Sequence, residues 1–187
     1  MRIVLLGPPG VGKGTQAKLV AAKHKLEKIS TGDLLRAELA NRTELGKLAE
    51  QYMRQGMLVP DDIVNKMVAE KIASLGPGAG FLLDGYPRTI AQAVALEAAL
   101  QTLGANIDKV IAFQSDENTL LERIRGRAEI ENRSDDDAQT ALNRFRIYQQ
   151  ETAPLIDHYK KSDLLIEINA SGDIETVNNL VEEALAG

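Results

Sequence analysis

The sequence predicts an α/β fold in which a five-stranded parallel sheet is flanked by helices. Short runs in which every residue is apolar recur along the chain, and such runs are typical of strands buried on both faces. Segments with apolar residues at helical spacing separate these runs, and that alternation favours parallel strands joined by right-handed crossovers. Ligands of such sheets bind beyond the carboxyl ends of the strands, so the loops at that edge form the candidate site.

Each element follows from a local pattern. The predicted strands lie at residues 3–6, 27–30, 81–84, 109–113 and 164–168. Helices are predicted after the first strand, after Thr31, at 44–54, from Asp61 to about residue 72, at 90–103, around 120–124, at 138–160 with an interruption at Pro154, and from Ile174 onward. Thr31 and Asp61 are predicted to cap their helices. Residues 128–137 are polar and aperiodic, so a loop is expected there.

Composition excludes several classes of protein. The chain of 187 residues, 44 % hydrophobic and 26 % charged, is typical of one compact globular domain. The absence of Cys excludes disulfides and a thiolate zinc site. A net charge of −5 argues against nucleic-acid binding, and no apolar run approaches the ~18 residues of a membrane span. Because the chain enters its first strand at once, no signal peptide is expected, and the predicted location is cytoplasmic.

A glycine-rich segment after the first strand predicts a phosphate-binding loop. Gly7 and the pair Gly12-Lys13 fit the G-x-x-x-x-G-K spacing, and a helical pattern follows. Glycines let backbone N–H groups curl around an anion, and the helix N-terminus adds its positive dipole end. A glycine-rich turn with a surface lysine is the ordinary alternative, but the flanking strand and helix favour the loop. Gly14 stands where a metal-binding hydroxyl is usual, with Thr15 one place later, so Mg²⁺ is expected to be held more through water.

Two further motifs fall at the same edge of the predicted sheet. Asp84 ends a buried strand, which resembles the Mg²⁺ position of P-loop proteins, and Arg88 on the following turn can clamp a phosphate. Thr31 and Arg36 at a helix start could hold a ligand. The ordinary alternatives are a turn capped by Asp84, and an N-cap threonine followed by a solvated arginine. These residues alone leave both interpretations open.

Several arginines stand out in this acidic protein. They are Arg123, Arg127, Arg133 and Arg144. Arg123 and Arg127 share a helix face, where like charges repel unless an anion lies between them. Nearby glutamates could instead pair with them at the surface, so the cluster alone is as compatible with solvated surface as with a site. His24 and His158 are isolated and are interpreted as structural or surface residues.

Taken together, these motifs resemble the adenylate kinases, within the nucleoside monophosphate kinase family of P-loop proteins, over essentially the whole chain. The resemblance is carried by Gly7-Pro8-Pro9-Gly10-Val11-Gly12-Lys13-Gly14-Thr15, Ser30-Thr31-Gly32-Asp33, Gln55-Gly56 through Val59-Pro60-Asp61, Asp84-Gly85-Tyr86-Pro87-Arg88-Thr89 with Gln92, Arg123-x-x-Gly126-Arg127, Arg133-x-Asp135-Asp136, and Thr152-Ala153-Pro154-Leu155. The family's own loop reads Gly-Lys-Gly-Thr, so Gly14 is no departure from it.

The resemblance implies a reversible transfer, Mg·ATP + AMP ⇌ 2 ADP, serving adenine nucleotide balance, with Mg²⁺ as cofactor and no zinc. ATP would be bound by Gly10, Val11, Gly12, Lys13, Gly14, Thr15, Arg123, Arg127 and Gly172. AMP would be bound by Thr31, Arg36, Met57, Leu58, Val59, Gly85, Tyr86, Arg88, Gln92, Arg133 and Arg144. The catalytic residues would be Lys13, Arg88, Arg123, Arg133 and Arg144. Asp84 would hold Mg²⁺ through water, with Asp33 a further candidate, and the Tyr86–Pro87 peptide would be cis.

The same resemblance implies a domain organisation and a monomer that binds neither nucleic acid nor membrane. A single domain at 1–187 would comprise a core (1–30, 61–127 and 137–187), an AMP-binding flap at about 31–60 and a short lid at about 128–136. Only residues 128–132 separate Arg127 from Arg133, which resembles the short-lid form, with no room for an inserted subdomain. Glu129 and Glu131 are predicted to point away from the phosphates.

Two alternatives remain at this stage. Another nucleoside monophosphate kinase would use UMP or CMP as acceptor, or GTP as donor. Thr31 and Gln92 match the AMP-selecting pattern of the family, whereas donor selection rests on backbone near Ser171-Gly172 and is less specific. A P-loop switch that binds a partner protein is the alternative from another class. Against it, the sequence shows no additional domain and no large unexplained apolar segment.

Overall fold

The fold is a parallel sheet covered by helices on both faces. The computed structural model describes residues 1–76, 78–131 and 138–186, and the side chains of 125–131 and 138 lie outside that description. The strands are β1 (Arg2–Leu6), β2 (Glu27–Ser30), β3 (Phe81–Asp84), β4 (Lys109–Gln114) and β5 (Leu165–Asn169). They are all parallel, in the order β2-β3-β1-β4-β5. The predicted five-stranded parallel sheet is therefore confirmed.

Helices connect and follow the strands. They are α1 (Lys13–His24), α2 (Thr31–Ala40), α3 (Glu44–Arg54), α4 (Asp61–Ser74), α5 (Ile90–Thr102), α6 (Glu117–Glu131), α7 (Ala138–Ile147), α8 (Pro154–Lys160) and α9 (Ile174–Ala186), with a π-helical turn at Tyr148–Thr152. Within the described ranges, no helix is long and apolar enough to cross a membrane.

The central strand shows why the sheet needs helices on both sides. Val4 and Leu6 join one buried cluster with residues of α2 to α5 and α8, while Ile3 and Leu5 join a second cluster with residues of α1, α6 and α9. Successive side chains of a strand point to opposite faces, so an entirely apolar strand is stable only between two layers. All four side chains are at most 2 % exposed. The apolar runs of the sequence are thus the inside of a three-layer sandwich.

Three local predictions were wrong. Residues 128–131 are helical, because good helix formers there extend α6 to Glu131. Asp61 does not cap α4, which begins after Pro60, because the Asp61 carboxylate instead accepts hydrogen bonds from Thr89 and Gln92. Thr31 is likewise the first residue of α2, and the side chain of Ser30 caps that helix. The remainder of the loop prediction, residues 132–137, lies outside the described residues, as do the side chains of Glu129 and Glu131. The lid at about 128–136 stays a prediction.

The two histidines join helices at the periphery. His24 Nε2 lies 2.9 Å from Glu182 Oε2 and links α1 to α9, while His158 Nε2 lies 3.0 Å from Glu97 Oε1 and links α8 to α5. Neither histidine lines the cleft described below. Both therefore have a structural environment, as predicted.

Candidate active site

The glycine-rich loop after β1 has the backbone that an anion-binding loop needs. Gly7, Gly10 and Gly12 have φ values of 148°, 81° and 99°, a region that favours glycine. Gly12 precedes α1 and provides no side-chain cap, so the first N–H groups of that helix face the loop. Lys13 Nζ donates to the carbonyl oxygens of Gly7 at 2.6 Å and Pro8 at 2.9 Å. The loop thus places backbone donors, a helix N-terminus and an ammonium group together.

This loop is packed tightly against α6. A Cβ on Gly10 would lie 2.7 Å from the carbonyl oxygen of Leu120 and 2.8 Å from Ile124 Cγ1, distances that a real side chain does not tolerate. Arg123, between those residues, reaches the loop after β5 and donates to the carbonyl oxygens of Ala170 at 2.7 Å and Gly172 at 2.8 Å. Arg123 and Gly172 are therefore brought together at the rim of the phosphate loop.

A single cleft of about 1000 Å³ runs along the carboxyl edge of the sheet, which is the upper end of the size range for small-molecule sites. It is lined by the residues of the phosphate loop, by Asp84, and by four arginines at its walls. These are Arg36, Arg88, Arg123 and Arg144. The sheet topology accounts for this arrangement, since the carboxyl ends of β1, β2 and β3 are adjacent. One cleft therefore joins the phosphate loop to a second region beyond it.

That second region is a pocket lined by both apolar side chains and arginines. Its lining residues are Thr31, Gly32, Leu35, Arg36, Met53, Gly56, Met57, Leu58, Val59, Val64, Gly85, Arg88, Gln92 and Arg144. The Thr31 hydroxyl and Arg88 Nε both donate to the carbonyl oxygen of Gly85 at 2.8 Å. Gly85 has a φ of +81°, which favours glycine, and the guanidinium group of Arg88 lies directly over it. The pocket thus combines apolar side chains with guanidinium groups and an amide.

Gln92 contributes an amide side chain to this pocket, and hydrogen bonds hold that amide in place. It is 2 % exposed. Its Oε1 accepts from the backbone N–H of Arg88 at 2.7 Å, and its Nε2 donates to Asp61 Oδ1 at 2.6 Å. The Thr89 hydroxyl donates to Asp61 Oδ2 at 2.8 Å and accepts from the Gln92 backbone N–H at 3.1 Å. The orientation of the amide is therefore determined by its neighbours.

Asp33 lies between two cations at the mouth of the cleft. Its carboxylate is 2.8 Å from Lys28 Nζ and 2.5 Å from an Arg36 nitrogen. Partial burial acts to raise the pKa of Asp33, but the hydrogen bonds from Lys28 and Arg36 outweigh it and lower the pKa well below its usual range. Asp33 is thus ionised at neutral pH and already neutralises cations, which makes it a poorer candidate than Asp84 for a metal.

Asp84 is the carboxylate that faces the phosphate loop. It lies opposite Leu5 of β1 and Ser30 of β2 in the sheet register. A Cβ on Gly14 would be 3.5 Å from Asp84 Oδ2, so glycine keeps the space beside this carboxylate open. Among the described residues no group of three or more His, Cys, Asp or Glu side chains could hold a metal ion. A carboxylate beside a phosphate loop, outside any such group, fits Mg²⁺ that is ligated mainly by phosphate and water.

The structure collects most of the residues predicted from sequence in this cleft. Tyr86 is the exception, since it is 2 % exposed and its hydroxyl donates to Asn65 at 2.7 Å and to the carbonyl oxygen of Gln92 at 3.1 Å. It supports the pocket from the core, and the Tyr86–Pro87 peptide is cis, as predicted. Arg133 lies outside the described residues, and only the backbone of Arg127, within α6, is described.

Two residues of this region were missed by the sequence reasoning. Lys28 lines the cleft, and Asp61 holds Gln92. The motif Val59-Pro60-Asp61 was a signal for the second of these, but its aspartate was interpreted as a helix cap. No sequence signal distinguished Lys28 from a surface lysine.

Comparisons with known proteins agree with this geometry. A family model described as adenylate kinase matches residues 5–164. The chain is 48 % identical over 185 residues to an adenylate kinase of Thermobifida fusca, which covers 99 % of this chain and 98 % of the relative. It is 44 % identical over 185 residues to an adenylate kinase of Nocardia farcinica, covering 99 % of both chains. An adenylate kinase of Methanothrix thermoacetophila is 40 % identical over 212 residues, covering 100 % of this chain and 99 % of the relative. The chain therefore belongs to the adenylate kinase family.

Proposed function

We propose that this protein catalyses the reversible reaction Mg·ATP + AMP ⇌ 2 ADP and so contributes to adenine nucleotide balance. The observation that carries the proposal is the continuity of the cleft, which joins the phosphate loop to a pocket lined by apolar side chains and arginines. A phosphoryl transfer between two nucleotides requires two adjacent sites of this kind, with their phosphates meeting between them. Family membership supports the same reaction.

The donor nucleotide is assigned to the phosphate loop. In this assignment, the backbone N–H groups of Gly10 to Thr15 would surround the ATP phosphates, and the ammonium group of Lys13 would contact the outer phosphates. Arg123, which donates to the carbonyl oxygen of Gly172, is assigned with Arg127 to the ATP side and with Lys13 to the group around the transferred phosphoryl group. Because Lys13 already donates to two loop carbonyls, its ammonium is held at the loop before a phosphate arrives.

The acceptor is assigned to the second pocket. Arg36 and Arg88 would hold the phosphate of AMP, Gln92 would contact the adenine edge, and Thr31, Gly85 and residues 57–59 would shape the pocket. Tyr86 contributes from the core by supporting Gln92. Arg144 lines both regions of the cleft, which supports its assignment to the region where the two sets of phosphates would meet. We assign Arg133 to the same group from the family resemblance.

The chemistry needs positioning and charge neutralisation in place of a protein nucleophile. The acceptor oxygen of AMP is already anionic, so a strong general base is not required, and arginine guanidinium groups stabilise the charge that spreads over the transferred phosphoryl group. Mg²⁺, when bound with ATP near Asp84, supplies further neutralisation of the phosphates. Water must be excluded, since it would compete with AMP as acceptor.

The proposed domain division would allow the site to exclude water. A flap at about residues 31–60 and a short lid at about 128–136 would close over a core formed by the rest of the chain.

We further propose that the protein acts as a cytoplasmic monomer with ATP, AMP and ADP as its small-molecule partners, using Mg²⁺ and no zinc. Gel filtration with and without nucleotide tests the monomer.

A coupled assay tests the reaction. ATP consumption is measured with AMP, CMP, UMP or no acceptor, and with GTP replacing ATP as donor. Strict dependence on AMP with formation of two ADP per turnover is the expected result. Activity with CMP or UMP in place of AMP would instead support a pyrimidine nucleotide kinase. ATP hydrolysis without an acceptor would contradict the proposal.

A further inference from the structure

The amide of Gln92 has one permitted orientation. The backbone N–H of Arg88 can only donate, so the group facing it at 2.7 Å is Oε1. An ionised carboxylate can only accept, so the group facing Asp61 Oδ1 at 2.6 Å is the NH₂. The second oxygen of Asp61 is occupied by the Thr89 hydroxyl at 2.8 Å, and this fixes the carboxylate. Two independent partners on two different elements thus set the same orientation.

Rotating this amide by half a turn would break both hydrogen bonds and replace them with repulsive contacts. The NH₂ would face the N–H of Arg88, and the oxygen would face the carboxylate of Asp61. Gln92 is 2 % exposed, so water does not relieve either contact. The contact with Asp61 is the more severe, because it places an oxygen dipole against a full negative charge. Asp61 therefore excludes one of the two hydrogen-bonding patterns that a glutamine normally offers.

Each orientation of the amide suits a different purine edge. In the orientation seen here, the remaining lone pair of Oε1 and the remaining N–H of Nε2 form an acceptor beside a donor. Adenine presents the complement, an exocyclic N6–H donor beside the N1 acceptor. A 6-oxopurine presents an O6 acceptor beside an N1–H donor, which only the rotated amide would match. The Gln92 amide would thus discriminate between an amino group and an oxo group at the six-position of the purine, with no charged side chain contacting that position.

We propose that Asp61 is a specificity-determining residue, which holds the Gln92 amide in the orientation that accepts adenine and rejects 6-oxopurines. It acts through Gln92 and is a positioning residue. The inference rests on the proposed function, because it takes the base of the acceptor nucleotide to lie against Gln92. It goes beyond that function by assigning the selectivity to a carboxylate that does not line the pocket.

The test replaces Asp61 by an amide that can serve either orientation. In Asp61→Asn, the new side chain can accept from Gln92 or donate to it, so rotation of Gln92 no longer meets a negative charge. Inosine 5′-monophosphate is the probe, because it differs from AMP only in its 6-oxo group and N1–H. With ATP as donor, kcat/KM is measured for AMP and for the probe in the wild type and in the variant. If the probe turns over too slowly, its inhibition constant against AMP is used.

We expect the preference for AMP over the probe to fall by about tenfold in Asp61→Asn, while the KM for ATP stays unchanged. Asp62→Asn is the matched control, since Asp62 is the exposed neighbour in the same first helical turn, and its preference should equal that of the wild type. Asp61→Ser, whose hydroxyl also donates or accepts, replaces the first variant if that one fails to fold.

An unchanged preference, or a proportional loss of activity with both nucleotides, would overturn the inference, since a merely structural role of Asp61 affects both acceptors alike. The two proposals fail separately. A wild-type protein that does not use AMP would overturn the proposed function. A wild-type protein that uses AMP, combined with an unchanged preference in the Asp61 variant that folds, would overturn only the role of Asp61.

Discussion

Gly56 packs directly on the carbonyl oxygen of Thr140, so that a Cβ on Gly56 would lie 2.8 Å from that oxygen. The same turn is tied to α7 by two side chains: the Thr140 hydroxyl donates to the carbonyl oxygen of Arg54 at 3.2 Å, and Asn143 Nδ2 donates to that of Gln55 at 2.5 Å. Because α7 also carries Arg144, these contacts hold the end of α3 and a proposed catalytic arginine in a fixed relative position.

Gly56→Ala should lower both stability and acceptor affinity. The new methyl group meets the Thr140 oxygen in a backbone conformation, φ +66°, that already disfavours alanine. Gly104→Ala is the control, because Gly104 has a similar φ of +62° and open space around it. In urea denaturation, the free energy of unfolding should fall by at least about 1 kcal/mol more at Gly56 than at Gly104. Equal losses would show that the contact with Thr140 carries no energy.

Lys13→Ala should lose activity without losing the fold. The Lys13 ammonium group donates to two loop carbonyls and is proposed to contact the transferred phosphoryl group, so kcat should fall by at least about 100-fold. The melting temperature of Lys13→Ala should stay close to that of the wild type. Lys66→Ala, which removes an exposed lysine of α4, is the control and should keep wild-type activity. A fall in activity that tracks a fall in melting temperature would contradict a direct role in transfer.

Gln92→Leu should raise the KM for AMP far more than the KM for ATP. It also leaves the Arg88 N–H and the Asp61 carboxylate without their buried partner, so the free energy of unfolding should fall by about 2 kcal/mol. Steady-state kinetics with each substrate varied in turn gives the comparison. Gln101→Leu, at an exposed position of α5, is the control. Equal changes in both constants would mean that Gln92 does not contact the acceptor base.

Asp84→Asn should weaken the response to Mg²⁺. The carboxylate is the one proposed to orient the water shell of the metal, and removal of such a group typically costs about tenfold in apparent metal affinity. Activity is titrated with Mg²⁺ at fixed ATP, and the half-saturating concentration should rise while activity at high Mg²⁺ largely recovers. A titration superimposable on that of the wild type would remove Asp84 from the metal site.

Asp33 should stabilise the protein in a pH-dependent way. Its pKa is lower in the folded protein than its ordinary value of 3.8, so its contribution is complete above that value and is lost as the pH falls through the folded pKa. Since the side chain is 50 % exposed, the contribution at pH 7 should be only about 0.5 kcal/mol. Urea denaturation of the wild type and Asp33→Asn should show a constant difference from pH 7 to 5 that shrinks below about pH 4. A difference that grows on acidification would reverse the assigned sign.

The local elements and the phosphate loop were predictable because their signals are local. The apolar run at residues 3–6 predicts a strand buried on both faces, and it is the central strand of the sheet. The loop follows from glycine spacing between that strand and a helix. The parallel sheet places Asp84 at the edge near Gly7, so proximity of these two could be inferred from the strand pattern alone.

The contacts between residues far apart in the sequence were decided only by the tertiary structure. Asp61 and Gln92 are 31 residues apart, and Arg123 and Ala170 are 47 apart. Nothing in the local pattern around Asp61 separates a helix cap from a hydrogen-bond acceptor for a distant amide, because both use an aspartate near the start of a helix. The sequence by itself determined the backbone of the glycine-rich loop, since its geometry depends on neighbouring glycines. The fold decided how the second pocket is lined and how Gln92 is oriented, because those properties depend on which elements pack together.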